Sequence, residues 1–317
     1  MEAPSHYMPD DLISTLQKQH YALFGHSAVK LCHWSKAALT KNQYCYKNKF
    51  YGIESHRCMQ FTPAVAFCTQ KCLYCWRPLN TTGSAMEEFD SPKEIVQESI
   101  KQQRILLSGF GSLIESIGKK KLMEAQNPRH VAISLAGEPT AYPKISELIA
   151  EYKKSGLSTF LVTNGANPEA LAKMKMPTQL YVSLSAPDEA LHKKINQPII
   201  RDSWKRFNET LELLPELKTR KAVRITLIKG MNMHSEKEYA QLIQKANPDF
   251  VELKSYMHVG FSRLRLQREN MPTFAEVKEF SEKLNKHLQY NLADSDERSR
   301  VALLWNGKTK KKIKFEE

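Results

Sequence analysis

Six cysteines fall within the first 75 residues of this 317-residue chain, and none follows them. One set of three, here called the loop triad, forms the stretch CTQKCLYC and consists of Cys68, Cys72 and Cys75. The other set, the upstream triad, repeats at an even spacing and consists of Cys32, Cys45 and Cys58. Because we expect an intracellular chain, such crowding argues against a disulfide framework and indicates metal or redox chemistry.

The spacing of the loop triad allows one short loop to direct three thiolates at a single point. Two cysteines of a CxxC pair suit zinc or a redox disulfide, but a third without a fourth cysteine or a nearby histidine leaves a tetrahedral zinc site incomplete. A [4Fe-4S] cluster tolerates three protein ligands, because its fourth iron can take an exogenous ligand. The loop triad therefore favours an iron-sulfur cluster.

The upstream triad is spaced too widely for a zinc knuckle. Three buried structural thiols are one interpretation of it, since free cysteine is often buried. A second set of three without a fourth cysteine mirrors the first, however, so we favour a second [4Fe-4S] cluster with an open iron.

The composition is strongly basic, with a formal net charge of +13 and a pI near 9.3. This balance indicates a polyanionic partner such as nucleic acid, although a lysine-rich solvated surface would give the same totals. The basic clusters are spread along the chain, at 118–121, 218–221, 263–268 and 308–314. No apolar run reaches the ~20 residues of a spanning helix, so we expect a cytoplasmic protein without membrane contact.

Short β-rich runs alternate with helical patterns from about residue 57, which is typical of parallel βα units. The predicted strands are 58–67, 130–135, 158–163, 179–185, 222–229 and 249–254. Ser91 with Glu94 predicts a capped helix start, Gly156 a helix end, and Ser235 with Glu238 a second capping box. Six such units predict an α/β fold, a partial (β/α)6 barrel, with its chemistry at the carboxyl ends of the strands.

The first 56 residues show helical patterns near 9–20 and 27–40 and carry most of the upstream triad. We predict an N-terminal helical cap, residues 1–56, that brings the second iron-sulfur site to the barrel. The barrel with its basic C-terminal tail then covers residues 57–317.

The CxxxCxxC loop, with Tyr74 before its last cysteine, resembles the signature of the radical S-adenosylmethionine (radical SAM) superfamily. The resemblance implies that the loop triad holds a [4Fe-4S] cluster whose open iron binds S-adenosylmethionine. Ala136-Gly137-Glu138-Pro139 resembles the superfamily's glycine-glycine-glutamate element, although alanine replaces its first glycine. The cofactor-binding residues that the resemblance implies are Tyr74, Gly137, Glu138, Asn164, Ser183 and Ser185.

Both triads, together with SLAGEPTAYP, VTNGANPE and VSLSAPDE, narrow the resemblance to archaeal-type 4-demethylwyosine synthases over residues 10–305. That family implies a lyase-type tRNA-modifying enzyme that condenses two carbons of pyruvate with N1-methylguanosine at position 37 of tRNA-Phe. The implied cofactors are two [4Fe-4S] clusters and S-adenosylmethionine. Because eukaryotic members carry a flavodoxin-like domain that this sequence lacks, we expect an external electron donor, and we expect a monomer.

Pyruvate could be held in two ways. The open iron of the second cluster could chelate its carboxylate and keto oxygens, or an amine could hold it as an imine. The resemblance singles out Lys47 as that catalytic amine, and a nearby cationic metal site would favour the neutral amine. A phosphate contact by Lys47, or an imine on Lys49 instead, are the alternatives.

Other functions compete with this one. A radical SAM enzyme acting on another nucleic acid or on a protein is the main alternative, but a protein-modifying activase predicts ferredoxin-like cysteine pairs that the sequence lacks. A two-cluster electron carrier needs no six-unit barrel. A zinc-dependent tRNA-binding module would be colourless after reconstitution, whereas two clusters would give a brown protein with about eight irons.

Overall fold

The structure, a computed structural model, describes residues 1–79 and 83–315. These residues form a ten-stranded sheet whose six central strands, β3 to β8, are parallel and follow one another in chain order. The strands are β1 (Ala22–Phe24), β2 (Ser27–Lys30), β3 (Cys58–Thr62), β4 (His130–Ile133), β5 (Ser158–Thr163), β6 (Gln179–Ser183), β7 (Arg220–Leu227), β8 (Phe250–Ser255), β9 (Asn291–Asp296) and β10 (Val301–Trp305). All six predicted strands are present, and the partial (β/α)6 barrel is confirmed.

Helices connect each pair of parallel strands and pack on the outer face of the sheet. In chain order the α-helices are α1 (Pro4–Tyr7), α2 (Asp10–Lys18), α3 (His33–Lys41), α4 (Tyr46–Tyr51), α5 (Pro92–Ser108), α6 (Ile114–Ile117), α7 (Lys119–Gln126), α8 (Ile145–Lys154), α9 (Pro168–Lys173), α10 (Glu189–Asn196), α11 (Ser203–Leu213), α12 (Glu236–Ala246) and α13 (Phe274–Asn285). Within the described ranges no helix is both long and apolar enough to cross a bilayer.

The helix boundaries test three sequence predictions. Ser91 and Glu94 form the predicted capping box at the start of α5, and α8 ends at Lys154, just before Gly156. The predicted capping box at Ser235 is wrong, although α12 does begin at the next residue. Ser235 has a left-handed backbone (φ 61°), and its hydroxyl lies 2.8 Å from Nδ1 of His234 instead of capping the helix.

The N-terminal segment is not purely helical, contrary to the prediction. Residues 27–30, predicted as the start of a helix, form β2, which pairs with β1 and runs antiparallel to β3. The helical pattern of 27–40 is confirmed only for α3, which begins at His33. Residues 22–30 therefore extend the sheet of the barrel, and the helices α1 to α4 make up most of the rest of residues 1–56.

The barrel interior is closed at its amino end by α4. Successive strand residues point to opposite faces, so Phe160, Tyr181 and Phe250 face inward, where Phe50 and Tyr51 of α4 pack against them. The basic C-terminal tail covers the same end, because the Ile313 amide donates to the Tyr51 carbonyl at 3.0 Å. Packing of α4 inside the barrel directs Tyr46 and Lys47 at its first turn toward the centre of the fold.

Candidate active site

A cavity of about 420 Å³ opens at the carboxyl ends of the parallel strands, where this fold places ligands. All three cysteines of the loop triad line it from the loop after β3. Inward-facing strand side chains line its deeper part, namely Gln60, Ser183, Arg224, Thr226 and Lys254. The cavity thus joins the loop triad to the barrel interior.

The loop triad is held between two neighbouring segments. On one side, the Leu73 amide donates to the Ile195 carbonyl at 2.9 Å. On the other, the Arg265 guanidinium donates to the carbonyls of Leu73, at 3.1 Å, and of Cys75. These contacts fix the loop backbone without using the thiols, which stay available for a cluster.

The sulfurs of the loop triad lie close together in a buried site. Burial raises the pKa of Cys68 and Cys72, and for Cys72 the neighbouring sulfurs raise it further. The amide of Asn196 lies 3.8 Å from the sulfur of Cys72, and the amide of Asn164 lies at the same distance from that of Cys68. Three thiolates so placed would repel one another, so the site fits a cationic iron centre that would balance their charge.

Gly137 and Glu138 lie against the start of the cysteine loop. Gly137 has φ +67°, and a Cβ there would lie 1.8 Å from the Ala64 carbonyl oxygen, so only glycine fits. The Glu138 carboxylate accepts hydrogen bonds from the hydroxyl of Thr163, at 2.7 Å, and the amide of Asn164, also at 2.7 Å. Burial raises the pKa of Glu138, whereas these donors oppose that shift.

The other predicted cofactor-binding residues occupy different positions. Tyr74, Asn164 and Ser183 line the cavity. Ser185 is buried behind the cavity, where its hydroxyl lies 2.6 Å from that of Tyr74. Of the two serines, the structure therefore places only Ser183 at the cavity wall, and direct contact of any of these side chains with the cofactor stays a prediction.

The upstream triad converges although its members are far apart in the sequence. Cys32 immediately precedes α3, Cys45 immediately precedes α4, and Cys58 begins β3. Burial raises the pKa of Cys45 to about 11, with a further contribution from Cys32. Burial also raises the pKa of Cys58 to about 12, although Lys47 opposes the shift. Cys45 and Cys58 are thus electrostatic neighbours of Lys47, and Cys32 is a neighbour of these two thiols.

Lys47 occupies the barrel interior beside the upstream triad. Lys47 is half-buried, and its ammonium lies 4.5 Å from the centre of the Tyr181 ring. Burial lowers the pKa of Lys47, and the nearby Arg224 lowers it further. Lys49 is different, because it is exposed and pairs with Asp294 at 2.9 Å. Of the two lysines, only Lys47 faces the interior.

A buried carboxylate organises the interior around Lys47. Glu252 is fully buried and accepts hydrogen bonds from the hydroxyls of Tyr46, at 2.9 Å, and Tyr51, at 2.8 Å. Arg224 pairs with the same carboxylate at 2.9 Å. Burial by itself would raise the pKa of Glu252, but Arg224 and Lys47 lower it, so this carboxylate is an anion.

Sequence reasoning missed the interior residues Arg224, Glu252 and Lys254. Their signal is the charge they place in the strand patterns AVRITLIK and DFVELK. In a strand the inward positions alternate, so a charged residue between apolar neighbours faces the barrel interior when those neighbours face the helices. These charged residues can be assigned to the interior only when the inner face of each strand is known.

No group of three His, Cys, Asp or Glu side chains in the described part of the chain is arranged to hold a single metal ion. The donor sets are two groups of thiols, without a histidine or carboxylate among them. Sulfur-only sets of three suit an iron-sulfur cube, which holds its thiolates farther apart than one ion does. Cys68, Cys72 and Cys75 would hold one cluster, and Cys32, Cys45 and Cys58 are the candidate ligands of another.

The fold and the cysteine loop define a radical SAM enzyme. The family model of the radical SAM superfamily matches residues 63–243, and that of wyosine base formation matches residues 245–306. The S-adenosyl-L-methionine-dependent tRNA 4-demethylwyosine synthase of Pyrococcus abyssi is 51% identical over 94% of this chain and 89% of its own length.

Two solved structures are similar over nearly the whole chain. "Structure of TYW1 with a lysine-pyruvate adduct bound" has a TM-score of 0.89 and 39% identity, covering 97% of this chain and 99% of its own. "Crystal structure of archaeal TYW1" has a TM-score of 0.82 and 35% identity, covering 96% and 100%. The chain therefore belongs to the family of S-adenosyl-L-methionine-dependent tRNA 4-demethylwyosine synthases within the radical SAM superfamily.

We expect Gly137→Ala to destabilise the protein and to weaken cleavage of S-adenosylmethionine. The new Cβ would overlap the Ala64 carbonyl, which belongs to the backbone leading into the cysteine loop, so that loop must shift. Gly156→Ala is the matched control, because Gly156 also has a positive φ but open space around its Cβ position.

Thermal unfolding and 5′-deoxyadenosine formation measure both variants. Gly156→Ala should cost on the order of 1 kcal/mol from the backbone conformation alone and keep cofactor cleavage. Gly137→Ala should cost more and lose cleavage. Equal behaviour of the two variants would contradict the prediction.

Proposed function

We propose that this enzyme condenses two carbons of pyruvate with N1-methylguanosine at position 37 of tRNA-Phe, using S-adenosylmethionine and two [4Fe-4S] clusters. The observation that carries the proposal is the position of Lys47, which lies beside the upstream triad in the barrel interior below the cavity. The TYW1 structure with 39% identity to this chain has a lysine-pyruvate adduct bound, which supports the same chemistry here.

Lys47 would act as the nucleophile that holds pyruvate. Its amine would attack the keto carbon and release water, giving an imine that fixes the former keto carbon of pyruvate next to the incoming base. This arrangement is an alternative to chelation of pyruvate by an open iron at Cys32, Cys45 and Cys58. When bound, the cluster of the loop triad and S-adenosylmethionine supply the radical chemistry that removes a hydrogen atom from the N1-methyl group.

The remaining steps concern carbon-carbon bond formation and ring closure. The methylene radical would add to the imine carbon, the former keto carbon, and open its C=N π bond. Cleavage of the bond between that carbon and the carboxylate would restore the imine and release the carboxyl carbon as a carbon dioxide radical anion, which leaves as formate after taking up one electron and one proton. The exocyclic amine of guanine then attacks the former keto carbon and displaces Lys47. An external donor would supply the reducing electrons. We also propose that the protein is a cytoplasmic monomer, with residues 57–317 as the barrel unit and residues 1–56 carrying Cys32 and Cys45.

A stacked guanine cannot reach the cavity, so the nucleotide must flip out of the stack of the anticodon loop. The loop after β8, here called the rim loop (residues 256–268), borders the cavity through Met257 and Val259. Its exposed Leu264, with 80% of its surface accessible, stands between Arg263 and Arg265. Exposed apolar side chains among cations suit a wedge that enters a nucleic-acid loop while arginines contact phosphates.

The proposed function is tested by incubating the reconstituted enzyme with S-adenosylmethionine, pyruvate, a strong reductant and tRNA-Phe. One tRNA carries the N1-methyl group at guanosine 37, and the control tRNA lacks it. Mass spectrometry of the digested tRNA should find 4-demethylwyosine only in the methylated sample, and its carbons should carry label from labelled pyruvate. Product from the unmethylated tRNA, or product without pyruvate carbons, would refute the proposal.

We expect the double variant Arg263→Ala/Arg268→Ala to bind tRNA more weakly and with a smaller salt dependence. Both side chains are exposed on the rim loop, and each phosphate contact removed should reduce the slope of log affinity against log salt by about 0.7 to 0.9. Filter binding at several salt concentrations measures this slope. The control Lys278→Ala/Lys283→Ala removes two exposed charges from α13 and should leave it unchanged. An equal decrease in both variants would mean that only net charge matters.

A further inference from the structure

The deeper part of the cavity carries two cations that the cysteine chemistry does not use. Arg224 on β7 and Lys254 on β8 face the barrel interior on neighbouring strands, and both line the cavity. Both also lie beside Tyr46. The Nη2 of Arg224 donates to the Tyr46 hydroxyl at 3.0 Å, and the ammonium of Lys254 lies 5.0 Å from the centre of the Tyr46 ring. The two cations therefore form one positive site.

This positive site adjoins Lys47. The guanidinium of Arg224 lies 4.7 Å from the centre of the Tyr181 ring, and the ammonium of Lys47 lies 4.5 Å from the same centre. The Tyr181 hydroxyl is buried and has no hydrogen-bond partner within residues 1–79 and 83–315. A buried hydroxyl without a partner, on a ring that two cations approach, is the kind of group that a small polar ligand satisfies.

Both cations keep donors free for a ligand. Arg224 uses Nε and Nη2 for Glu252 and Tyr46, and in the described part of the chain its Nη1 has no hydrogen-bond partner. Lys254 donates to the Ser299 carbonyl at 3.1 Å, which leaves two of its three N–H groups. An arginine edge and an ammonium together match the two oxygens of a carboxylate.

The local charges favour an anion. Glu252 and, nearer the surface, Asp296 are the carboxylates close to Lys254, and the Cys45 thiol is also near it. Arg224 is the cation next to both Lys254 and Lys47. Glu252 already accepts hydrogen bonds from two tyrosines and Arg224. Burial lowers the pKa of Lys254 to about 8, with a further contribution from Arg224, so an incoming anion would relieve repulsion between the cations.

We propose that Arg224 and Lys254 bind the carboxylate of the 2-oxo acid while Lys47 engages its keto carbon. The inference rests on the proposed function, since it assumes an imine at Lys47. It assigns recognition of the acid group to protein cations rather than to iron held by the upstream triad. It also explains why a three-carbon acid would be selected over neutral carbonyl compounds of the same size.

Reductive trapping tests this site. Reconstituted enzyme is incubated with increasing pyruvate or with pyruvamide, its neutral amide, in the presence of cyanoborohydride, and intact-mass spectrometry counts the adducts. Lys254→Met keeps the length of the side chain and removes its charge. It should raise the pyruvate concentration for half-maximal trapping by roughly tenfold to a hundredfold and leave that for pyruvamide unchanged. Arg224→Lys, which keeps a charge but not the two-pronged edge, should act in the same direction.

The controls separate failure of the carboxylate site from misfolding of a variant and from failure of the imine at Lys47. Lys278→Met removes an exposed charge on α13 and should not change trapping. Iron content and thermal unfolding confirm that each variant is folded and loaded. If wild-type enzyme gives no adduct on Lys47, the proposed imine itself fails. If Lys254→Met leaves pyruvate trapping unchanged, or shifts pyruvate and pyruvamide equally, the carboxylate site is refuted.

Two other anions could enter the cavity, and the same variants distinguish them. A tRNA phosphate bound at this site predicts that Lys254→Met weakens tRNA binding and leaves pyruvate trapping intact. The carboxylate of S-adenosylmethionine predicts a higher cofactor concentration for 5′-deoxyadenosine formation, again with intact trapping. We expect neither change, and either one would overturn the assignment.

Discussion

Replacing Cys45 by alanine should abolish formation of the modified base while preserving cleavage of S-adenosylmethionine. Cys45 precedes α4 and is one of three candidate ligands of the second cluster, whereas the loop triad lies in a different loop. Reconstituted variant should therefore hold about four irons instead of about eight. Iron analysis, 5′-deoxyadenosine formation and tRNA digestion measure the three properties on one preparation.

The matched variant is Cys68→Ala, which removes a ligand from the loop triad. It should lose cofactor cleavage and product together while keeping about four irons in the second site. A Cys45→Ala enzyme that still holds about eight irons would show that the upstream triad binds no cluster. Full product formation with four irons would show that a second cluster is unnecessary.

Lys47→Arg should eliminate both the trapped pyruvate adduct and the modified base. Arginine keeps a positive charge over the Tyr181 ring but cannot form an imine at neutral pH, because its guanidinium stays protonated. Loss of covalent positioning should reduce product formation by at least roughly a hundredfold. Intact-mass spectrometry after reduction measures the adduct, and tRNA digestion measures the product.

Lys49→Arg is the control because Lys49 lies on the same helix, two residues further on. Its ammonium pairs with Asp294 and donates to the Ser295 carbonyl at 2.7 Å, so it points away from the interior. This variant should keep both adduct and product. An adduct that persists in Lys47→Arg and disappears in Lys49→Arg would assign the imine to the other lysine.

These two predictions address neighbouring groups in the barrel interior, since Cys45 and Lys47 are two residues apart at the start of α4. Loss of the Cys45 site should leave cofactor cleavage, and loss of the Lys47 amine should leave both cofactor cleavage and iron content. The Lys254→Met enzyme should keep cofactor cleavage, iron content and the adduct on Lys47. It should differ only in the pyruvate concentration that it needs. The pattern across the variants thus separates cluster binding, imine formation and carboxylate recognition.

The sequence by itself determined much of this protein because the deciding signals are local. The CxxxCxxC loop places three thiols within eight residues, and the Ser91–Glu94 capping box and the alternation of βα units depend on neighbouring residues. Local signals predicted the six parallel strands, the start of α5 and the position of the loop triad. They failed at Ser235, because no local pattern predicts its left-handed backbone. They also failed at β1 and β2, which belong to the sheet only through the pairing of β2 with β3.

Only the tertiary structure decided what surrounds Lys47. Burial of α4 inside the barrel brings Lys47 to Tyr181, and neighbouring strands bring Arg224 and Glu252 into contact. The tertiary structure also decided that Ser183, and not Ser185, reaches the cavity wall. The physical reason is that strands and helices distant in the chain set the environment of an inward side chain. The free energy of their packing cannot be derived from the residues next to that side chain in the sequence.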